Sequence, residues 1–327
     1  MRTKFFAIVA VLGLSFVSAS RAQDPAPAPP PSGPVVGLSL IVTDKDGKGV
    51  NSIRKDQLRV FEDKVEQTIL SLEADVRPVD YILLIDSTGS FKYLFGSALE
   101  AAKLFVLNRR PEDQVAICRF ISSDKIETVQ EFTADGDTLL KAVNDSYLEM
   151  GQSAVIDALY LSADYVNKHN KGNEGRRKVV ITITDGEDRI SYYKQKDLRK
   201  LLDETGVQMF FLGLVVDLSK DGRSMQRPSP RVEAEELLTA VATDSGGRVF
   251  FPETKEQLVA AAADIIYDLR AQFRIKYQST HDGSKKGFRK VDVKFVGAEG
   301  DEKRNLVTPR GYYVGPKPPA KSEKKKS

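Results

Sequence analysis

Length, composition and charge exclude several classes of protein. The chain has 327 residues, of which 41% are hydrophobic, so it is long enough for one large domain with smaller pieces and is not a low-complexity chain. The formal net charge of +3 comes from three basic residues within residues 1–22, and beyond them the basic residues equal the 46 acidic residues in number. This balance does not indicate a nucleic-acid partner.

The first residues have the pattern of an export signal. Residues 1–22 combine a basic start, an apolar stretch from Phe5 to Val17 and small residues before a cut after Ala22 or Ala19, which predicts a secretory signal peptide. The apolar stretch is shorter than the ~20 residues that a membrane-spanning helix needs, and no other segment suits one, so we expect no transmembrane segment in the mature chain. We therefore expect a periplasmic, cell-surface or secreted protein. The prolines in residues 23–35 predict an extended linker.

Residues 36–78 are predicted to be an N-terminal β segment. Apolar residues alternate with polar ones there, and the D-K-D-G sequence at Asp44 and Asp46 predicts a hairpin turn. The same sequence resembles the start of a calcium loop. Position 12 from Asp44 is Lys55 rather than a bidentate glutamate, so the turn is the better interpretation.

Between residues 79 and 270, predicted strands and helices alternate, which is typical of an α/β fold with a doubly wound, mostly parallel sheet. The predicted strands are Tyr81–Asp86, Gln114–Ile121, Lys178–Thr184, Gln208–Val216 and Arg248–Phe251, with Thr128–Thr133 as an antiparallel edge strand. The predicted helices are Ser97–Val106, Asp137–Tyr147, Ala154–Asn167, Gln195–Glu204, Arg231–Ala242 and Lys255–Tyr267. The lone cysteine, Cys118, excludes an internal disulfide framework, and we interpret it as a small buried core residue.

Residues 271–315 return to a period of two and are predicted to be a C-terminal β segment. Neither this segment nor residues 36–78 is large enough to be stable alone, so we expect the two to pair into one small β domain. Residues 316–327 are rich in lysine and are predicted to be a disordered tail.

Two predicted strands end in an acid. Asp86 is followed by Thr88 and Ser90, and Asp185 ends the second strand, so both carboxylates are expected at the same edge of the sheet, with Ser153 as a third contributor after Gly151. Two close carboxylates repel each other, and a divalent cation removes that repulsion. Hydroxyl and carboxylate oxygens suit Mg²⁺ or Mn²⁺, and these three segments contain no cysteine or histidine to attract zinc.

These motifs resemble a known family. D-x-T-x-S at Asp86, Thr88 and Ser90, the hydroxyl of Ser153 after Gly151, and T-D-G at Asp185 resemble the metal-ion-dependent adhesion site of von Willebrand factor type A domains, over about Val79 to Arg270. The flanking sequences V-T-D-K-D-G-K-G-V, F-E-D, Q-T-I, G-F-R-K-V-D-V-K and R-G-Y-Y resemble the exported bacterial VWFA-related proteins.

The resemblance implies a von Willebrand factor A fold, a divalent cation and a protein partner whose acidic side chain completes the metal shell. It makes Thr88, Ser90 and Ser153 hydroxyl ligands, with Asp86 and Asp185 acting directly or through water. The chain departs from the family at Thr88, where serine is usual, and at Ser153, where threonine is usual. Both exchanges keep an oxygen. We interpret three other acids near the site as capping or solvated loop residues: Asp157, Glu187 and Asp188.

Two alternatives remain open. A metal-dependent hydrolase is one, but the second acid of an aspartyl phosphatase is replaced by Thr88, and no G-x-S-x-G or phosphate-binding glycine loop is present in the sequence. A structural or assembly module with a vestigial, metal-free site is the other. We expect an exported, non-catalytic binding or adhesion protein.

Overall fold

We describe residues 33–173, 175–221, 228–297 and 301–315 of a computed structural model of the chain. The predicted signal peptide at residues 1–22, all but the end of the predicted linker at residues 23–35, and the predicted tail at residues 316–327 lie outside the described residues. Within the described residues, no helix is both long enough and apolar enough to span a bilayer.

Six α-helices and thirteen strands are present in this part of the chain. The helices are α1 (Phe95–Leu107), α2 (Gly136–Asn144), α3 (Val155–His169), α4 (Gln195–Thr205), α5 (Pro230–Ser245) and α6 (Lys255–Arg270). The strands are β1 (Val35–Thr43), β2 (Leu58–Glu62), β3 (Val65–Ala74), β4 (Val79–Asp86), β5 (Gln114–Ser122), β6 (Lys125–Thr133), β7 (Arg177–Thr184), β8 (Gln208–Gly213), β9 (Val249–Phe250), β10 (Phe273–Gln278), β11 (Gly287–Phe295), β12 (Asn305–Val307) and β13 (Gly311–Val314).

A six-stranded sheet in the order β6-β5-β4-β7-β8-β9 forms the centre of the α/β part. Its pairings are parallel except that between β5 and β6, which is antiparallel. The predicted edge strand is therefore confirmed as β6, and the predicted α/β fold is confirmed.

Strand β4 lies at the centre of this sheet because its apolar run has no alternation. All of its residues are buried, as expected of a strand covered by helices on both faces. Tyr81, Leu83 and Ile85 pack in one core with α1, α2 and α6, whereas Ile82 and Leu84 pack in a second core with α3, α4 and α5. Cys118 is buried in the second core, as predicted, and burial raises the pKa of its thiol to about 12.

A seven-stranded antiparallel sheet gathers the strands of the two flanking segments in the order β12-β1-β10-β3-β2-β11-β13. Strand β1 pairs with β10, with Leu38 opposite Ile275, and the sheet buries Leu40, Leu58 and Tyr277. The described residues lie in one compact unit that includes both sheets. The division of this unit into an α/β domain and a small β domain stays a prediction.

The hairpin predicted at Asp44 is wrong in its strand pairing. Asp44 does make a turn, since its carboxylate accepts hydrogen bonds from the backbone N–H groups of Asp46 and Lys48, both at 2.9 Å. After the turn, however, β1 meets the returning chain only at the single bridge between Thr43 and Gly49. Its ladder partners are β10 and β12, because these distant strands supply the apolar residues that cover the alternating face of β1.

Candidate metal site

The end of β4 places Asp86 and Thr88 in a tight turn. Asp86 is fully buried, and its Oδ1 accepts hydrogen bonds from the backbone N–H of Thr88 at 3.1 Å and from Thr88 Oγ1 at 2.7 Å. Asp side chains form this kind of turn readily because the carboxylate reaches the backbone two residues on. The turn holds the hydroxyl of Thr88 against the carboxylate of Asp86.

Ser90 connects this turn to the second acid. The chain makes a 3-10 turn over Gly89–Phe91, which brings Ser90 Oγ to 3.1 Å from Thr88 Oγ1. Ser90 Oγ donates a hydrogen bond to Asp185 Oδ2 at 3.2 Å. The structure therefore brings four of the predicted residues, Asp86, Thr88, Ser90 and Asp185, into one chain of hydrogen bonds across two neighbouring strands.

Thr184 is a member of this cluster that the sequence analysis missed. Its Oγ1 donates to Asp86 Oδ2 at 2.7 Å and accepts from the backbone N–H of Gly186 at 2.9 Å. Gly186 has a φ of 77°, which favours glycine, and the turn orients Asp185, whose Oδ1 accepts from the N–H of Glu187 at 2.9 Å. Thr184 is the threonine of the T-D-G motif, so the motif that predicts Asp185 as a site residue also contains the sequence signal for Thr184.

Ser153, the fifth predicted residue, lies on a separate loop before α3. Its side chain is 2% exposed, and its Oγ has no hydrogen-bond partner among the described residues. Its backbone carbonyl accepts hydrogen bonds from the N–H groups of Arg189 at 2.9 Å and Ile190 at 3.3 Å, which joins this loop to the one after Asp185. The Oγ of Ser87, in the turn after β4, is likewise buried without a hydrogen-bond partner among the described residues. A buried hydroxyl without a partner costs about 1–3 kcal/mol, so a ligand that reached the Ser153 hydroxyl would relieve that cost.

The other acids near the site bind protein groups. Only Asp188 does so as the predicted helix cap, whereas Asp157 is buried and Glu187 is mostly buried rather than solvated. Asp188 Oδ1 accepts from the N–H of Ile156 at 3.2 Å in the first turn of α3. Asp157 accepts from the N–H groups of Tyr192 at 2.9 Å and Tyr193 at 2.8 Å. Glu187 forms an ion pair with Arg189 at 2.6 Å. These contacts fix the loop that follows Asp185.

The electrostatic environment disfavours two ionised acids. Burial raises the pKa of Asp86, and the nearby charge of Asp185 raises it further, against the lowering effect of hydrogen bonds from Thr88 and Thr184. Burial also raises the pKa of Asp185. These two acids and the hydroxyls around them are hard oxygen ligands, which is the donor set that Mg²⁺ and Mn²⁺ prefer. The residues present therefore fit a hard divalent cation.

No alternative cluster of strong metal ligands exists in the described part of the chain. It holds no group of three or more histidine, cysteine, aspartate and glutamate side chains that could hold a metal ion. A cation at the carboxyl edge of the sheet would therefore depend on the hydroxyl groups as well as on the two carboxylates.

An open groove of about 290 Å³ gives access to this cluster. Ser90 and Asp185 lie in its wall, and the remaining lining residues come from the loops around the sheet edge and the start of α5: Leu94, Glu187, Arg189, Asp217, Leu218, Ser219 and Pro230. The cluster is thus buried in the protein on one side and open to the groove on the other.

The sequence model of the von Willebrand factor type A domain matches residues 80–264, which is more than half of the chain. The chain therefore belongs to the von Willebrand factor type A family, as the motifs at Asp86, Ser153 and Asp185 predicted.

Three solved structures illustrate the likeness to other proteins. An aerotolerance-related membrane protein from Bacteroides fragilis NCTC 9343, with multiple mutations to serines, is 17% identical over 57% of this chain and 98% of its own, with a TM-score of 0.44. The conserved hypothetical protein BatB from Bacteroides thetaiotaomicron is 18% identical over 58% of this chain and 98% of its own, with a TM-score of 0.44. Proximal thread matrix protein 1 from the mussel byssus, with a zinc-occupied MIDAS motif, is 19% identical over 61% of this chain and 49% of its own, with a TM-score of 0.47. No curated protein sequence matches the chain significantly.

Proposed function

We propose that the chain is an exported, non-catalytic binding protein that engages a protein partner through a divalent cation, Mg²⁺ or Mn²⁺. The residues that would hold the cation are the five predicted ones: Asp86, Thr88, Ser90, Ser153 and Asp185. A bound divalent cation supplies a positive centre with an open position, which an acidic side chain of the partner would fill.

The observation that carries this proposal is the chain of hydrogen bonds from Asp86 through Thr88 and Ser90 to Asp185. It assembles two acids, both with raised pKa, from two strands. Arg189, the basic residue whose charge lowers the pKa of Asp185, forms its ion pair with Glu187. Repulsion between such acids is relieved by a cation from outside the protein.

The strand order supports the same position. We infer that the six-stranded sheet is doubly wound, with its order reversing between β4 and β7, because β4 connects onward to β5 on one side while β7 connects to β8 on the other. Ligands of open α/β sheets bind outside the carboxyl ends of the strands at such a reversal. Asp86 and Asp185 lie at the ends of these two strands.

The positions of the histidines support a role without catalysis. His169 ends α3, where its Nε2 lies 3.0 Å from Gln114 Oε1, at the first residue of β5 and thus at the amino edge of the sheet. His281 lies 3.9 Å from Asp63, near the seven-stranded sheet. Neither histidine contacts the acid pair, so neither is placed to act on a substrate there as a general acid or base.

Titration with Mg²⁺ and with Mn²⁺, followed by calorimetry and thermal unfolding, tests the cation. At a cation concentration about 100 times the Kd, the free energy of unfolding should rise by about 2.7 kcal/mol. Asp86→Ala should remove this response. Asp217→Ala is the matched control, since Asp217 is an acid of the same groove that is not a predicted ligand, and it should respond as the wild type does.

Equal responses of the wild type and Asp86→Ala would contradict the cation site and favour the structural module with a metal-free site. The partner is tested by cross-linking in envelope extracts with and without chelator. A partner held equally well in chelator would contradict capture through the cation.

A further inference from the structure

The loops that carry the candidate site also carry the most exposed large hydrophobic side chains of the described residues. Met150, Tyr93 and Tyr192 are 87%, 85% and 79% exposed, and no other large hydrophobic side chain in that part of the chain exceeds 73%. We name these three residues the apolar rim. Single exposed hydrophobic residues are common on protein surfaces, but the three most exposed ones on the loops of one site call for a functional reason.

Each residue of the apolar rim belongs to a different loop of the site. Tyr93 follows the turn that holds Thr88 and Ser90, Met150 precedes Ser153 on the loop before α3, and Tyr192 lies between Asp185 and α4. The three loops that supply the candidate ligands therefore each supply one exposed apolar side chain.

The contacts of Met150 place it directly over the site. A Cβ atom built on Gly89 would lie 2.8 Å from Met150 Sδ, so the methionine covers the residue between Thr88 and Ser90. The N–H of the preceding residue, Glu149, donates to the carbonyl of Ser87 at 2.9 Å and fixes this position.

Tyr192 is held outward by its neighbours. Its N–H donates to Asp157 Oδ2 at 2.9 Å, and its ring meets the ring of Tyr193 edge-on with centroids 5.4 Å apart. Tyr193 stacks on Tyr160 at 3.8 Å, so the inner tyrosine is packed while Tyr192 faces solvent. A rigid base of this kind lowers the entropy cost of binding through the exposed ring.

An exposed basic side chain lies beside the apolar rim. The side chain of Lys92 is exposed beside Tyr93, with its Nζ 6.0 Å from the ring centroid, and it makes no ion pair within the described residues. Lys92 adds a positive charge beside the candidate cation, whereas the groove wall carries Asp217 and the ion pair of Glu187 with Arg189. The attraction for an acid therefore comes from the cation, with Lys92 as a basic side chain beside Tyr93 that has no ion pair among the described residues. Aromatic residues and methionine are enriched in protein interfaces, and tyrosine is among the residues that most often dominate the binding energy.

We propose that the apolar rim of Tyr93, Met150 and Tyr192 binds hydrophobic side chains that flank the partner's acidic residue, so the partner presents an acidic segment with apolar neighbours. This inference rests on the proposed function, because the acid is taken to bind the cation. An occupant that contacts three separate loops around the acid pair is larger than a small organic acid, which favours a protein segment.

The test uses a phage-displayed library of random peptides, selected on the purified protein in saturating Mg²⁺, with selected peptides then synthesised for Kd measurement. The enriched sequences should contain aspartate or glutamate within two positions of an aromatic or large aliphatic residue. Changing that acid to its amide, adding EDTA, or using Asp86→Ala should abolish binding.

The triple variant Tyr93→Ser, Met150→Ser and Tyr192→Ser should raise the Kd of the selected peptides by about tenfold or more. The double variant Val76→Ser and Leu107→Ser is the matched control, because these side chains are 73% and 63% exposed but lie away from the site loops, and it should leave the Kd unchanged.

The outcomes separate the two proposals. Binding that is lost in EDTA but unchanged in the triple variant overturns the apolar rim and leaves the cation mechanism standing. Binding that survives both EDTA and Asp86→Ala overturns the proposed function. The inferred partner is overturned if the enriched peptides lack the pair of an acid and an apolar residue, or if the protein enriches no more peptides than Asp86→Ala does. It is also overturned if the protein forms a Mg²⁺-dependent dimer that the triple variant does not form.

Discussion

The two ends of β4 each carry a buried acid, and the protein treats these acids differently. At the start of the strand, Asp80 Oδ1 accepts from Arg176 Nε at 2.6 Å, and its Oδ2 accepts from Asn170 at 2.8 Å. At the far end, the hydrogen bonds that Asp86 accepts from described residues come from Thr88 and Thr184, and the charge that acts on it is that of another acid, Asp185.

The same contrast holds for a second acid at the amino edge. Asp113, in the loop before β5, is paired with Arg270 at 2.7 Å and also accepts from the N–H of Val79 at 2.8 Å. Among the described residues, arginines form ion pairs with Asp80 and Asp113 at one edge of the sheet. At the other edge, Asp86 and Asp185 accept hydrogen bonds from hydroxyl and N–H groups. The charge of Arg189, which pairs with Glu187, lowers the pKa of Asp185 only against the larger effect of burial. Because a buried acid without a cation is costly, the carboxyl edge is the one suited to an external cation.

The largest expected effect comes from removing a buried ion pair at the amino edge of the six-stranded sheet. Asp80→Asn leaves Arg176 without its charge partner in a mostly buried position, so the free energy of unfolding should fall by about 3 kcal/mol. Urea unfolding measures this loss. Glu100→Gln, which removes an exposed ion pair with Lys103, is the control and should change little. The response of Asp80→Asn to Mg²⁺ should match that of the wild type, and its loss would contradict the separation of the two edges.

In the absence of metal, Asp86→Asn should not lower the free energy of unfolding as Asp80→Asn does, and above the pKa of Asp86 it should raise that free energy. Burial raises the pKa of folded Asp86 above the ordinary value of 3.8, so the folded state retains a proton that the unfolded chain releases. The contribution of this group to stability is therefore greatest below pH 3.8 and is lost as the pH rises towards the pKa of the folded state. Asp86→Asn removes this loss of stability at higher pH, because asparagine does not ionise.

Urea unfolding in EDTA at about pH 5 and about pH 8 checks this prediction. The wild type should lose more stability between the two pH values than Asp86→Asn does, and at the higher pH the variant should be at least as stable as the wild type. A variant destabilised as strongly as Asp80→Asn would show that Asp86 is a structural acid.

Ser153→Ala tests whether Ser153 is a metal ligand or only a packing residue. Because its hydroxyl is buried without a partner, its removal should leave the metal-free stability unchanged or raise it by up to about 1 kcal/mol. If Ser153 is a ligand, the Kd for Mg²⁺ should nevertheless rise by about tenfold, as calorimetry would measure. An unchanged Kd would remove Ser153 from the set of ligands.

The smallest expected effect is that of Thr88→Ser, which restores the residue usual in the family. The substitution keeps the hydroxyl that bonds Asp86 and removes one buried methyl group, so the free energy of unfolding should fall by about 1 kcal/mol. The Kd for Mg²⁺ should stay within about threefold of the wild type, which corresponds to less than 1 kcal/mol. A larger change in Kd would mean that the methyl group positions the hydroxyl.

Local pattern was sufficient to predict the α/β part. The apolar run of β4 and the apolar spacing of the helices depend on neighbours in the sequence, and the observed bounds of β4 and α4 differ from the predicted ones by one or two residues. That Asp86, Thr88, Ser90 and Asp185 lie together was predictable for a related reason, since a strand that ends in an acid fixes the edge at which the acid lies. Their role as metal ligands stays a prediction.

Features that depend on distant parts of the chain were missed. Strand β1 pairs with strands from the opposite end of the chain, and no local signal at Asp44 distinguishes this pairing from a hairpin. The exposure of Tyr93, Met150 and Tyr192 was not predicted either, because apolar residues in short loops have no periodicity that shows which side they face.

The pairing of β1 with β10 has a consequence for the order of folding during synthesis. Leu38 cannot pair with Ile275 until Ile275 has been synthesised, which happens only after every strand and helix of the α/β part. That part is contiguous in the chain and can collapse early, whereas β1 has no ladder partner and β3 is paired only with β2 until β10 is made and pairs with both β1 and β3. Premature termination before β10 would therefore leave β1, with its apolar residues, unpaired and one edge of β3 open, and such products should be prone to aggregation and to degradation.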